Sequence, residues 1–429
     1  MLSTTTNPLS RLNRISKTLA AIGLFALTAS AQADSLAIIN ATVHTASEQG
    51  VLKGASIIVE DGVISAINPA TVTADQTIDA KGRIVTPGFI AAFSQLGLVE
   101  VGAVAETRDA YDDKADITFD PSLAFNPQST AIPYSRKGGI TRSVLAPRGG
   151  KTIFAGQTSV IDLSGSFDSV INPKNGVLVK LGGKEKGSRA LSLQTLINKF
   201  EDAEEKLAKA AKKKAKKDKK DKGESKPPSR EEKLVNLLLE GKKPLIVAAD
   251  RASELLQLIK LKQRFGLNLV IVGASDAIVV AEQLAKADVP VIIDAMQALP
   301  GSFDSLHPSL ENPGKLVKAG VKVIFASGGA HALNNLRFEA GTAVSYGMSP
   351  EAALAAMTVN VAQALNINAG SIAVGKPADL VLWSGDPFEL SSKVDKLWIN
   401  GEEHSTDSRQ DALRNRYMRK SELPVGYSK

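Results

Sequence analysis

Between residues 244 and 358 the chain repeats one pattern: a short apolar run, then a segment with apolar residues at helical spacing. Pro244-Leu-Ile-Val-Ala-Ala reads as a buried strand, and residues 252–265 read as an amphipathic helix. Leu267-Asn-Leu-Val-Ile-Val, Val289-Pro-Val-Ile-Ile-Asp294 and Val321-Lys-Val-Ile-Phe-Ala-Ser327 continue the series, with a helix expected over 276–287. Ser349-Pro-Glu-Ala then has the form of a helix start, with Ser as the cap and Pro in the first turn. Strands joined by helical segments of this length argue for a parallel sheet, which makes the chain an α/β protein.

Both flanks read differently. From residue 36 to 84 the text is strand and turn, with Asp61-Gly62 between two β-branched runs as a hairpin signal, and no helix fits. A matching piece lies at the far end, where Asn400-Gly401 closes a second hairpin signal after Val394-Asp-Lys-Leu-Trp-Ile. Between flank and repeat, Arg83-Ile-Val-Thr ends an apolar run, Pro87-Gly88 bends the chain, and Phe89-Ile-Ala-Ala-Phe93 restarts a buried strand.

Two of these stretches carry a family resemblance. Thr86-Pro-Gly-Phe-Ile90 resembles the opening of the first barrel strand of the amidohydrolase superfamily, of the imidazolonepropionase and dihydroorotase type. Gly370-Ser-Ile372 with Gly375-Lys376 and Ala378-Asp-Leu-Val381 resembles the segment by which such proteins complete a small composite β-domain. The resemblance runs from about residue 36 to 403 and implies a (β/α)8 TIM-type barrel, perfect or incomplete, plus a small composite β-sandwich made by both chain ends. It divides the chain into an N-terminal β-sandwich segment (34–85), the barrel (86–368), a C-terminal β-sandwich segment (369–403) and a C-terminal tail (404–429).

The resemblance also implies a metal centre, which this sequence does not supply. In the family the first strand continues Asp-x-His-x-His, and its two imidazoles bind metal; here Ala91, Phe93 and Gln95 stand in those places. Two His on alternate residues of a strand share a face and can grip one ion, whereas a phenyl ring has no donor atom. Later ligand positions fall on Ala248, Asp250, Gly273 and Gly328. The whole chain has no Cys and four His, at 44, 307, 331 and 404, too far apart in sequence to form a cluster motif. His44 reads as an ordinary strand residue. We therefore expect no cofactor, with Zn or another divalent metal only if the chain is an active hydrolase. Without metal, Asp250, Asp294 and His331 are the candidate catalytic or ligand-binding groups, with Arg251 and Ser327 beside them; ordinary helix capping and turn chemistry are the competing explanations.

The N-terminus has the form of an export signal. Arg11, Arg14 and Lys17 precede an apolar run at 19–28 and the small residues of Ala31-Gln-Ala33. The run is shorter than the roughly 20 residues a membrane span needs, so residues 1–33 read as a signal peptide and the protein as periplasmic. Residues 206–222 hold ten Lys against Asp218 and Asp221, a net of +8 in a chain whose total is +7. The basic character thus belongs to a Lys-rich insertion at 206–229 and not to the fold. It contains no aromatic residue on which bases could stack, so nucleic acid is not an expected partner. A solvated insertion, or one touching anionic surfaces, is. The expectation for the whole is a metal-less member of the superfamily, a pseudoenzyme that binds a small polar ligand or serves as partner subunit to a related active amidohydrolase; the alternative is an active enzyme cleaving a cyclic amide or dipeptide-like substrate.

Overall fold

The computed structural model describes residues 35–182, 187–216, 227–326 and 329–418. The signal segment 1–33, Ser327, Gly328 and residues 217–226 of the Lys-rich insertion lie outside them. Five strands come first: β1 (Leu36–His44), β2 (Val51–Glu60), β3 (Val63–Ile67), β4 (Gln76–Asp79) and β5 (Ile84–Pro87). Eight more build the large unit: β6 (Phe89–Ser94), β7 (Ile140–Leu145), β8 (Phe154–Asp162), β9 (Val170–Lys180), β10 (Pro244–Ala249), β11 (Asn268–Gly273), β12 (Val291–Ile293) and β13 (Val323–Phe325). The chain then returns to the small unit with β14 (Leu380–Trp383), β15 (Val394–Ile399) and β16 (Glu402–Glu403).

The large unit is one sheet in unbroken chain order from β6 to β13, and β13 comes back beside β6 to make a nearly closed barrel. β6 and β7 run parallel, as do β9 through β13, but β8 pairs antiparallel with both neighbours. The sheet is thus barrel-like, as the resemblance implies, but its parallel pattern is interrupted at β8. The links 146–153 and 163–169 are too short for the crossover helix that a parallel step requires, so the chain takes β7, β8 and β9 as a meander. Residue alternation separates the two faces. Leu245, Val247, Leu269, Ile271, Val291 and Val323 pack outward against helical residues such as Leu255, Leu258, Leu284 and Leu336. Ile90, Leu178, Ile246, Val270, Ile292 and Ile324 fill the interior, with Val361 and Leu365 packed against them.

The small unit also departs from expectation. It is a single hydrogen-bonded sheet, ordered β16-β15-β14-β5-β1-β2-β3 with β4 on β1, in place of two facing sheets. The sheet curls until the turn at Gly62 meets that at Gly401, whose added Cβ would lie 2.9 Å from the Gly62 Cα. The expected tail contains the helix Arg409–Met418, held at its first turn by an ion pair between Asp411 and Lys137. The Lys-rich stretch continues a helix, Arg189–Lys216, whose early residues Leu196 and Phe200 are buried. Ser229, the last residue of the expected Lys-rich insertion, caps the helix Arg230–Leu239 through a reciprocal pair of bonds with Glu232. Ser349 accepts from the Ala352 N–H and opens its helix as expected.

The two units meet at a buried ion pair. Arg142 of β7 donates through Nε to Asp379 just before β14, and through its terminal nitrogen to Asp379 Oδ1 at 3.3 Å and Asn400 Oδ1 at 2.9 Å. The Asn400 N–H adds a third donor to the same carboxylate at 3.0 Å. Beside it Trp383 stacks on Phe89 at 5.4 Å and donates to Thr86 Oγ1 at 2.9 Å. Removing one member of such a pair strands the other charge, a loss of about 3–5 kcal/mol. Arg142→Leu is therefore expected to lower the thermal denaturation midpoint substantially, and the double variant Arg142→Leu/Asp379→Leu to recover part of the loss; a single variant as stable as the parent would show that the pair does not hold the units together.

Candidate functional site

At the C-terminal ends of the parallel strands the inward face continues one step beyond the apolar layer. Leu178 is followed by Lys180, Ile246 by Ala248, Val270 by Val272, Ile292 by Asp294 and Ile324 by Ala326. That ring has two ionisable members, Lys180 and Asp294. A cavity of ≈ 270 Å³ opens over it, and its walls include Phe93, Lys180, Ala248, Asp250, Glu254 and Gly273. The strand register thus gathers Phe93, Ala248, Asp250 and Gly273 in one place. Gln95 lines the neighbouring cavity, together with Lys180. Asp294 and Gly273 share a narrow crevice beside it. His331 sits exposed in a turn and lines none of these cavities.

Asp250 does not cap the helix Ala252–Phe265. Its Oδ1 accepts from the Ser275 hydroxyl at 2.8 Å and the Ser275 N–H at 3.3 Å, fixing the loop after β11. The first helical N–H, of Ala252, donates to Asp276 Oδ2 at 3.3 Å, and Asp276 Oδ1 lies 2.8 Å from His307 Nδ1. Gly273 explains why Asp250 can stand so close: at φ +92° an added Cβ would lie 2.7 Å from Asp250 Oδ1. A side chain at 273 would thus be strained by the backbone conformation and would have to push the Asp250 carboxylate aside. Arg251 forms an ion pair with Asp304, another residue lining the ≈ 270 Å³ cavity, which Arg189 also engages. The hydrogen bond from Arg189 is the main cause that holds the Asp304 carboxyl below its usual range. Glu254 is 4% exposed, burial pushes its carboxyl up, and its Oε1 has no hydrogen-bond partner among the described residues.

Asp294 meets a second carboxyl, Glu339 of the helix Leu336–Ser345. Glu339 is pushed up to about 8, first by burial, then by the Asp294 charge and by the hydrogen bond between the two side chains. Its Oε2 also accepts the Met296 N–H at 3.0 Å. A carboxyl whose protonated form is favoured can donate a hydrogen bond, and here Glu339 also braces the segment after β12 through the Met296 N–H.

Sequence reasoning does not single out Glu339, Lys180, Glu254 or His307 as site residues. Lys180 carries a usable signal, because it ends the alternating run Val177-Leu-Val-Lys on the inward parity. The others come from helices or loops whose docking the sequence does not show. As a metal centre the arrangement does not fit. A zinc ion needs about three protein ligands, and among the described residues no three His, Asp or Glu side chains are placed to hold an ion.

The Glu339 shift has a definite sign. Its carboxyl titrates near 4.5 when free and near 8 when folded, so the folded chain binds the proton more tightly. Stability from this group is complete below about pH 4.5 and is lost as pH rises through about 8. Glu339→Gln, which keeps the donor to Asp294 and the acceptor for Met296, is expected to raise the melting temperature above about pH 8 and flatten its fall. Melting curves across pH check this; parallel curves for parent and variant would refute the upward shift.

A family model described as the amidohydrolase family matches residues 164–403, more than half of the chain, and begins downstream of β6, β7 and β8. Among solved structures, an amidohydrolase from Thermotoga maritima superposes with a TM-score of 0.76 at 27% identity, over 86% of this chain and 99% of that one. A molinate hydrolase has a TM-score of 0.53 at 15% identity, over 87% and 95% of the two chains. A prolidase complexed with N-methylphosphonate-L-proline gives 0.52 at 15%, over 86% and 99%. The last two likenesses are of fold alone. No curated protein matches the chain.

Proposed function

The chain belongs to the amidohydrolase family, and from that premise we propose that it is a member whose barrel binds a small polar ligand without a catalytic metal, acting as a binding protein or partner subunit. The observation that carries this reading is the donor set at the mouth: Phe93, Ala248 and Gly273, which offer no donor side chain, line one cavity with Asp250. Asp250 is itself engaged by Ser275. No step of the chemistry is therefore routed through a metal. What remains at the mouth is a set of polar side chains, Lys180, Asp250, Asp294 and Glu254, suited to holding a polar molecule in orientation.

We place the protein in the periplasm, on the strength of the export-signal pattern at 1–33. A related active amidohydrolase is the partner this reading calls for. The second reading, hydrolysis of a C–N bond in a cyclic amide or dipeptide-like substrate, draws on the family itself and on the similar fold of a prolidase.

Metal content separates the two. Protein produced with Zn, Mn and Fe supplied is expected to contain well under one equivalent of each and to keep its melting temperature in chelator. One tightly held metal per chain, with amide hydrolysis that disappears on stripping and returns on reloading, would establish the enzyme in its place.

A further inference from the structure

Next to the mouth lies a larger cavity of ≈ 590 Å³ whose charge is one-sided. Its described walls carry three cationic side chains, Arg108, Arg148 and Lys180, with the Gln95 amide, the Tyr111 ring and hydroxyl, and no carboxylate. The size falls within the range of small-molecule sites, roughly 300–1,000 Å³. Three different segments supply the cations. Lys180 ends β9, Arg148 follows β7, and Arg108 comes from the long connection between β6 and β7. Lys180 is anchored, its ammonium donating to the Arg148 carbonyl at 2.9 Å. The Arg148 N–H in turn donates to the Ala110 carbonyl at 2.7 Å, which ties this wall to the segment bearing Arg108.

The guanidinium groups are differently placed. Among the described residues neither Arg108 nor Arg148 has a carboxylate within ion-pair distance, whereas Arg189 and Arg251 at the same end of the barrel share one. Asp113, two residues from the cavity's Tyr111, accepts from the Tyr111 hydroxyl and pairs with Lys151 at 2.8 Å. Two guanidinium groups without acids, lining a concave site with a lysine, are arranged to receive an anion from outside the chain. Lys180 also lines the adjacent 270 Å³ cavity, where Asp250 and Glu254 stand. The mouth therefore presents cationic and acidic chambers on either side of one lysine.

We propose that the cavity formed by Arg108, Arg148 and Lys180 is a binding site for a small organic carboxylate, with the carboxylate held by the two arginines. This deepens the ligand-binding reading above and rests on it. It gives the ligand a class, an anionic molecule of a few carbon atoms whose polar remainder reaches toward Asp250. Arg side chains suit the planar two-oxygen group because they donate two parallel hydrogen bonds.

The test uses the full-length mature chain with glutarate as probe and glutaramide, its uncharged analogue of the same shape, as control. Calorimetric titration is expected to show glutarate binding that weakens with added salt, and no binding of glutaramide. Arg108→Gln and Arg148→Gln are each expected to weaken glutarate by about tenfold, the value of one charge-assisted hydrogen bond. Arg108→Lys is expected to keep part of the affinity, and Lys209→Gln, the same charge loss on the distant Lys-rich helix, all of it. Both arginines are exposed, so unliganded melting temperatures of the variants should match the parent and exclude misfolding. Glutarate affinity equal in parent and both Gln variants, or no affinity for glutarate in the parent, overturns the site. Metal content measured on the same preparation bears on the preceding reading alone, so the two can fail separately.

Discussion

The buried ion pair between Arg142 and Asp379 is the constraint around which the rest of the molecule is arranged. It joins a strand of the barrel to a segment 237 residues later in the chain. A guanidinium and a carboxylate can be withdrawn from water together only when their remaining hydrogen-bonding capacity is also met. Here Asn400 meets it from both sides, its side chain accepting from Arg142 and its N–H donating to Asp379. The consequence is geometric. The small sheet cannot slide over the barrel without breaking the buried bonds between Arg142 and Asp379, and β5 and β6 are separated only by Gly88. Trp383 takes up the space beside it, and Gly139 is required there because an added Cβ would lie 2.5 Å from the indole ring.

With the base fixed, the opposite end of the barrel is free to vary, and its polar groups follow a common logic. Several acids near the mouth already have a partner within the chain: Asp250 has Ser275, Asp276 has His307, Asp304 has two arginines, and Asp294 has Glu339. These bonds hold loops in place, which is the usual work of a carboxylate at a strand end. The cations Arg108 and Arg148 lack such partners among the described residues. The mouth thus has its negative charges largely satisfied and a concentration of positive charge in one cavity. That contrast in charge is what the proposed anion site rests on.

The strands of the repeat, the helix start at Ser349 and the β-rich flanks were legible because each depends on neighbours along the chain. Alternation, helical spacing, caps and turn dipeptides act over a few residues. The antiparallel β8 was not legible as a barrel strand, because its residues suit a strand in either direction and only the short links on each side fix its sense. Ser229 reads as linker for a similar reason: a Ser beside two prolines suits a turn, and Glu232 becomes its partner only when the helix has formed.

By itself the sequence determined the family frame, the local elements and the chemical inventory, including Phe93 and Gln95 where the resemblance calls for imidazoles. Those follow from residue type and short-range order. Tertiary structure alone decided which groups meet: the pairing of Asp294 with Glu339, the closeness of Asp250 to Gly273, and the convergence of Arg108, Arg148 and Lys180 on one cavity. These residues are tens of residues apart and lie on separate strands, loops and a helix. Only closure of the sheet brings them together, because curvature and strand stagger, which no short stretch of sequence encodes, set the positions of the strand ends.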